Sequence, residues 1–161
     1  MSEMTNMIAD SAQRLFSDNV TKKQLESFES GTFQKDLWNL ASDSGFPLVA
    51  VPEAAGGVGG EWIDAYPVLR GVGYWQVPLP LGETVVAASL LARAGIAVPD
   101  GPISMIENGY QAQLKIDGKT VSGTAHAVPW ARTGDWVLVS SSGMLHLVSL
   151  RSQGKVTITE K

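Results

Sequence analysis

The sequence predicts an α+β chain, with an all-helical first part and an antiparallel β second part. Apolar residues before about residue 95 recur at helical spacing. Beyond about residue 100 they alternate with polar ones, and glycine or proline marks most of the changes between segments. Helices followed by strands, in that order and unmixed, are the signature of this class. The change of period falls at residues 96–101 and divides the chain into 1–97, helical, and 98–161, β.

Each helix has its own signal. Ile8, Ala12, Leu15 and Phe16 fall on one face of a helix that the spacing starts after Thr5 or Asn6. Thr21 followed by Gln24 fits a capping box, and Leu25 with Phe28 gives a second helix that Gly31 ends. The stretch 37–60 organises the rest. Leu37, Leu40 and Ala41 share a third helix, Gly45 supplies the left-handed residue that ends it, and Pro47 forbids continuation. Residues 46–51 are apolar without helical period and read as a buried extended crossing, after which four glycines within 56–60 make a turn. A fourth helix is expected near Asp64, with Pro67 in its first turn and Ala65, Leu69 and Val72 on one face. Gly71 and Gly73 each cost a helix about 1 kcal/mol relative to alanine, so their presence points to close packing or an early end. Val77-Pro-Leu-Pro is the extended exit. Residues 83–94, apolar on most sides and stopped by Gly95, form the strongest helix.

In the second part Tyr110, Ala112, Leu114 and Ile116 alternate with Gln111, Gln113, Lys115 and Asp117, a strand with one wet face. Asp117-Gly118 reads as a hairpin turn. Further strands are expected at 121–128, at 136–141, at 144–150 across a Ser142-Gly143 turn, and at 156–159.

Composition limits the function. The 161 residues are 44% hydrophobic and 17% charged, a globular mixture, and 12 basic against 16 acidic residues give a net charge of -4. No basic stripe of the kind phosphate backbones demand is present, which sets nucleic acid aside. The absence of cysteine removes disulfides and thiolate chemistry together. The first residues lack the basic and apolar regions of a secretory signal, and the most apolar run, 85–98, is shorter than the roughly 20 residues a membrane span needs. A cytoplasmic location is the expectation.

Candidate sites read mostly as structure. The run 56–60 satisfies neither the dinucleotide fingerprint, because Trp62 stands where the third glycine belongs, nor the P-loop. His126 and His146 lack the neighbours of a metal site. Ser140-Ser-Ser-Gly lacks a nucleophile elbow and falls at a hairpin turn. The five tryptophans are core or seam residues, with Trp130 closest to anything functional.

The order of elements in 37–60, a Leu-Trp helix, glycine, a short apolar run, Val-Pro-Glu and Gly-Gly-x-Gly, resembles the N-terminal helical domain of the acyl-CoA dehydrogenases. Glu83-Thr84 to Gly95 is similar to that family's buried helix after its Pro-x-Pro exit. Val121-Ser-Gly-Thr, Val128-Pro-Trp-Ala and Gly134-Asp-Trp-Val-Leu-Val are similar to its middle β domain. The resemblance implies an N-terminal helical domain over 1–97 and a partial, incomplete antiparallel β-barrel-like middle domain over 98–161, with the C-terminal catalytic bundle absent.

The family's chemistry, in fatty-acid metabolism, is FAD-dependent α,β-dehydrogenation of an acyl-CoA thioester, in which a glutamate takes the α-proton and flavin N5 takes the β-hydride. No residue here matches that glutamate, and Glu53 and Glu61, beside the glycine turn, are not assigned to it. The flavin-facing segment of the family reads Gly-x-Lys-x-Trp-Ile-Thr, and the resemblance implies as cofactor-binding positions the residues that match its end, Ala127, Val128 and Pro129. An earlier segment, Thr-Glu-Pro then Gly-Ser, falls near 105–109, where Glu107 and Gly109 remain. Two readings follow: a flavoprotein subunit or fragment inactive alone, acting as a homodimer or with a partner subunit, or a non-catalytic interaction module that no longer binds flavin.

Overall fold

The computed structural model describes residues 2–110, 112–118 and 120–151. The chain divides between Val98 and Pro99 into two units.

The first unit holds five helices: α1 (Glu3–Asn19), α2 (Lys22–Glu29), α3 (Lys35–Asp43), α4 (Trp62–Tyr74) and α5 (Leu81–Arg93). Helix α1 starts earlier than its apolar period indicates because Ser2 caps it, its hydroxyl accepting from Thr5 N at 3.1 Å. At α2 the expected capping box is not formed. The Thr21 hydroxyl donates to the Gln24 side-chain carbonyl instead of accepting from the backbone, and no residue of this helix is fully buried. In α3 the buried residues are Leu37, Trp38 and Ala41, while Leu40 is exposed. The indole, with more apolar surface to bury, takes the inward side.

Residues 46–51 are buried, apart from half-buried Leu48 and Ala50, but not extended. Gly45 turns left-handed at φ 73°, and a 3-10 turn at Phe46–Leu48 follows, with Pro47 in a position that needs no donor. Val51 N then donates to Leu48 O at 3.1 Å, so the crossing is a chain of tight turns. Helix α4 likewise begins before its expected start, at Trp62. Asp64 Oδ2 accepts from Glu61 N at 2.9 Å and fixes the first turn there, which places Pro67 one turn deeper than expected.

Phe16 of α1 and Phe46 meet edge to face with centroids 5.8 Å apart, and Leu37, Trp38, Val68, Leu79 and Leu81 close the core around them. Gly71 of α4 is what lets Phe16 in. A Cβ there would stand 2.8 Å from two ring carbons.

The second unit holds β1 (Ile103–Glu107), β2 (Ala112–Asp117), β3 (Thr120–Ala125), β4 (Trp136–Ser141) and β5 (Met144–Ser149). Strands β2 and β3 form the expected antiparallel hairpin, with Leu114 opposite Gly123. A three-stranded sheet runs β1-β4-β5, in which β4 pairs antiparallel with β5 and parallel with β1. Among the described residues the second unit is thus mixed and not purely antiparallel, and its sheets do not close into a barrel. Strand β1 escapes a sequence reading because Ile103, Ser104 and Ile106 are all buried, so no wet face alternates. Strand β3 stops at Ala125, short of the expected Val128, and Tyr110 lies exposed ahead of β2. The strand expected at 156–159 lies outside the described residues.

Candidate functional site

The glycine run has no donor to spare for a ligand. Gly56 N donates to Glu53 O, Gly57 N to Pro52 O, Val58 N to Leu48 O, Gly59 N to Val51 O and Gly60 N to Val49 O, at 2.8 to 3.2 Å. A phosphate cradle needs such groups pointing outward, and these point inward. Gly57 is required by contact, since a Cβ there would lie 2.1 Å from Val51 O.

Close by, Asp64 is a buried carboxylate without a cation. It accepts from Thr5 Oγ1 at 2.5 Å, from Glu61 N at 2.9 Å and from Ser2 Oγ at 3.3 Å. The Thr5 hydroxyl and then the Glu61 N–H hold its carboxyl below the usual aspartate range, against the opposing effect of burial. Those three donors make it a tie between the two helices.

In the second unit, the connection between β3 and β4 carries Ala127, Val128 and Pro129. Val128 is half-buried against the core of Ile106, Ala112, Val137 and Val139, while Ala127 and Pro129 are exposed on either side of it. Two non-glycine residues of this connection are left-handed, Ala127 at φ 50° and Trp130 at φ 60°. Such residues cost of order 1 kcal/mol each and persist only where neighbours hold them. The neighbours here are identifiable. Fully buried Ser104, the second residue of β1, donates its hydroxyl to Pro129 O. Trp130 O accepts from Gly134 N at 2.7 Å and from Thr133 N at 3.0 Å. Sequence reasoning missed Ser104, because nothing local distinguishes it within an apolar run.

Glu107 ends β1 and is exposed, and Gly109 turns left-handed at φ 91°. Between them Asn108 behaves as a strand residue turned sideways. Its amide donates to Leu114 O at 2.9 Å and to Ser141 Oγ at 3.1 Å, and its carbonyl accepts from Leu114 N at 2.8 Å. An open cleft of about 540 Å³ lies here, lined by Asn108, Gly109, Gln113, Lys115, Ser122 and Ser142 among others. Ser142 and Gly143 both have positive φ and make the tight turn from β4 to β5. His126 is exposed, whereas His146 is half-buried opposite Val139. Among the described residues no three His, Cys, Asp or Glu side chains gather as a metal site, and no helix is long and apolar enough to cross a membrane.

Known proteins resemble this chain in both units. It superposes on a variant of the Tcur3481-Tcur3483 steroid acyl-CoA dehydrogenase with a TM-score of 0.75 and 26% identity, over 92% of this chain and 48% of that one. It also superposes on KijD3, solved in complex with dTDP, with a TM-score of 0.68 over 96% of this chain and 48% of that one; at 17% identity this likeness shows the fold alone. The chain therefore spans about half the length of these solved proteins. No curated protein matches it by sequence. The sequence model of the acyl-CoA dehydrogenase N-terminal domain matches residues 2–97, which is the whole five-helix unit, and on that match the chain belongs to the acyl-CoA dehydrogenase family.

Proposed function

We propose that this chain supplies the helical domain and part of the middle domain of an acyl-CoA dehydrogenase-like flavoprotein, whose reaction is the FAD-dependent α,β-dehydrogenation of an acyl-CoA thioester. The observation that carries the reading is the succession of the two units: the family's helical domain over residues 2–97, then a β unit within the 0.75 superposition on a steroid acyl-CoA dehydrogenase.

In that reading FAD, when bound, supplies the acceptor for the β-hydride. The residues of this chain that would lie against it are Ala127, Val128 and Pro129. Two small exposed residues flank Val128, which is half-buried against the core, so the segment offers a ring an apolar surface free of charged or bulky side chains. They contribute apolar contact and backbone only. Alanine gives no stacking surface, and proline gives neither a hydroxyl nor an N–H. The remaining contacts to the cofactor, and the base for the α-proton, come in this proposal from protein outside residues 1–161. The chain by itself does not turn over.

Association, as a homodimer or with a partner subunit, belongs to the same proposal, as does a cytoplasmic location. Its support is the outer face of α4, where Ile63, Tyr66 and Tyr74 are each more than half exposed. The second reading, a folded interaction module that no longer takes flavin, is favoured by one observation, the Ala127 and Pro129 side chains themselves.

The visible absorption of the purified chain, after incubation with excess FAD and desalting, separates the two. Flavin bands at close to one per chain or per dimer support the flavoprotein reading. A colourless, folded and soluble protein supports the interaction module.

A further inference from the structure

We infer that Ser104 is the positioning residue of the connection between β3 and β4: its hydroxyl, held near the start of β1, fixes the conformation in which Ala127, Val128 and Pro129 are presented. The part of this inference that concerns flavin rests on the flavoprotein reading above. The part that concerns the connection itself does not.

The geometry is specific. Ser104 has no exposed surface, and its backbone is committed to the sheet, where it stands in register with Val137 of β4. Its side chain reaches across 25 residues of sequence to the carbonyl of Pro129. That carbonyl sits in the peptide unit joining Pro129 to Trp130, so a bond to it sets the orientation of the plane leading into Trp130's left-handed turn. Pro129 restricts φ within the segment from the other side. The two left-handed residues, Ala127 and Trp130, bracket the anchored Val128-Pro129 pair. Neither alanine nor tryptophan favours that conformation by itself, so something must hold both. Val128 packs against residues of β1 and β4, and the Ser104 hydroxyl adds a hydrogen bond from β1 to the carbonyl of the next residue, Pro129. A buried hydroxyl would also be left without its acceptor if the connection took another course, which favours the observed one further.

The test uses the full chain with Ser104→Ala, Ser104→Thr and the double variant Ser104→Ala with Ala127→Gly. Amide hydrogen exchange, resolved by residue, reads the connection directly. In Ser104→Ala the amides of Thr133 and Gly134, which donate to Trp130 O, should exchange about tenfold faster, with Val139 and Leu147 unchanged. Ser104→Thr keeps the hydroxyl and should restore protection. Adding Ala127→Gly removes part of the strain the serine opposes and should restore it in part. Unchanged exchange at Thr133 and Gly134 in Ser104→Ala, or an equal increase across the whole sheet, overturns the inference.

Absorption titration with FAD is the second readout. If the parent chain binds flavin, Ser104→Ala should weaken binding about tenfold and lose the parent's shift of the flavin bands, with Ser104→Thr recovering both. A flavin-binding parent whose Ser104→Ala variant binds FAD with the same affinity and spectrum overturns the positioning role toward flavin. A parent that binds no flavin, yet loses local protection in Ser104→Ala, defeats the flavoprotein reading and leaves Ser104 as the support of the connection.

Discussion

Thr5 and Asp64, 59 residues apart, share a buried hydrogen bond of 2.5 Å from hydroxyl to carboxylate, and Phe16 lies against Gly71 further along the same two helices. Both α1 and α4 advance from the first contact to the second, so they pack side by side in the same direction. The polar tie sits at the helix starts, where Ser2 and the Glu61 N–H also reach the carboxylate.

Stability should follow the ionisation of Asp64. Its folded-state carboxyl is held below the ordinary value of 3.8. A carboxylate so depressed contributes stability that is fully present above its unfolded value and is lost as pH falls through its folded one. Urea midpoints should therefore hold near pH 6 and fall below about pH 4. Asp64→Asn should be less stable at pH 7 and flatter across the acid range. A parent and variant with parallel pH profiles would show that Asp64 is not the linked group.

Two glycines of α4 should respond oppositely to alanine. At Gly73 nothing lies within 4 Å of an added Cβ, so Gly73→Ala should stabilise by up to about 1 kcal/mol through helix propensity alone. At Gly71 the added Cβ meets the Phe16 ring at 2.8 Å. The overpacking cost of about 1–3 kcal/mol should exceed the propensity gain, making Gly71→Ala destabilising. Chemical denaturation of both variants checks the sign. Stabilisation at both positions would mean that Phe16 moves freely.

The glycine turn should be a structural element that no anion occupies. Gly57→Ala forces a Cβ onto Val51 O and should cost about 3 kcal/mol or more. Inorganic phosphate at millimolar concentration should leave the amide resonances of residues 56–60 unmoved, because all five N–H groups are already committed. Saturable shifts confined to those residues would reverse this view of the loop.

What the sequence carried well was whatever repeats with a period. The apolar faces of α1 and α5, the alternation of β2 and the short β4 and β5 pair are local patterns, and each element lies within a few residues of where its period puts it. The misplacements have local causes of another kind. Ser2 and Asp64 start helices through hydrogen bonds that hydrophobic spacing cannot register. A 3-10 turn at 46–48 buries apolar residues as a strand would, so composition could not tell them apart. The candidate segment was legible only by resemblance. Its left-handed residues are Ala127 and Trp130, types that give no warning, and its support is a serine on a strand the alternation test could not see.

The outer face of α4 yields the last prediction. Successive helical residues turn by 100°, so Ile63, Tyr66, Arg70 and Tyr74 fall within one stripe, opposite the buried Asp64, Ala65 and Val68. Arg70 lies over the Tyr74 ring at 5.9 Å, which shields part of the stripe but leaves Tyr74 largely exposed. Asp64, the only acid of α4, is turned inward, so no negative charge interrupts this face from within the helix. Aromatic and aliphatic surface of this kind is worth about 25 cal/mol per Å² when removed from water, and Tyr with Arg is a common core of protein contacts. If the proposed association uses this face, Tyr66→Ser combined with Ile63→Lys should weaken it by at least about tenfold while leaving the far-ultraviolet circular dichroism and the urea midpoint of the monomer unchanged. Sedimentation of parent and variant across a concentration series reads this directly. A parent that stays monomeric at the highest concentrations removes self-association through α4, and an associating parent whose variant associates equally moves the contact to another surface.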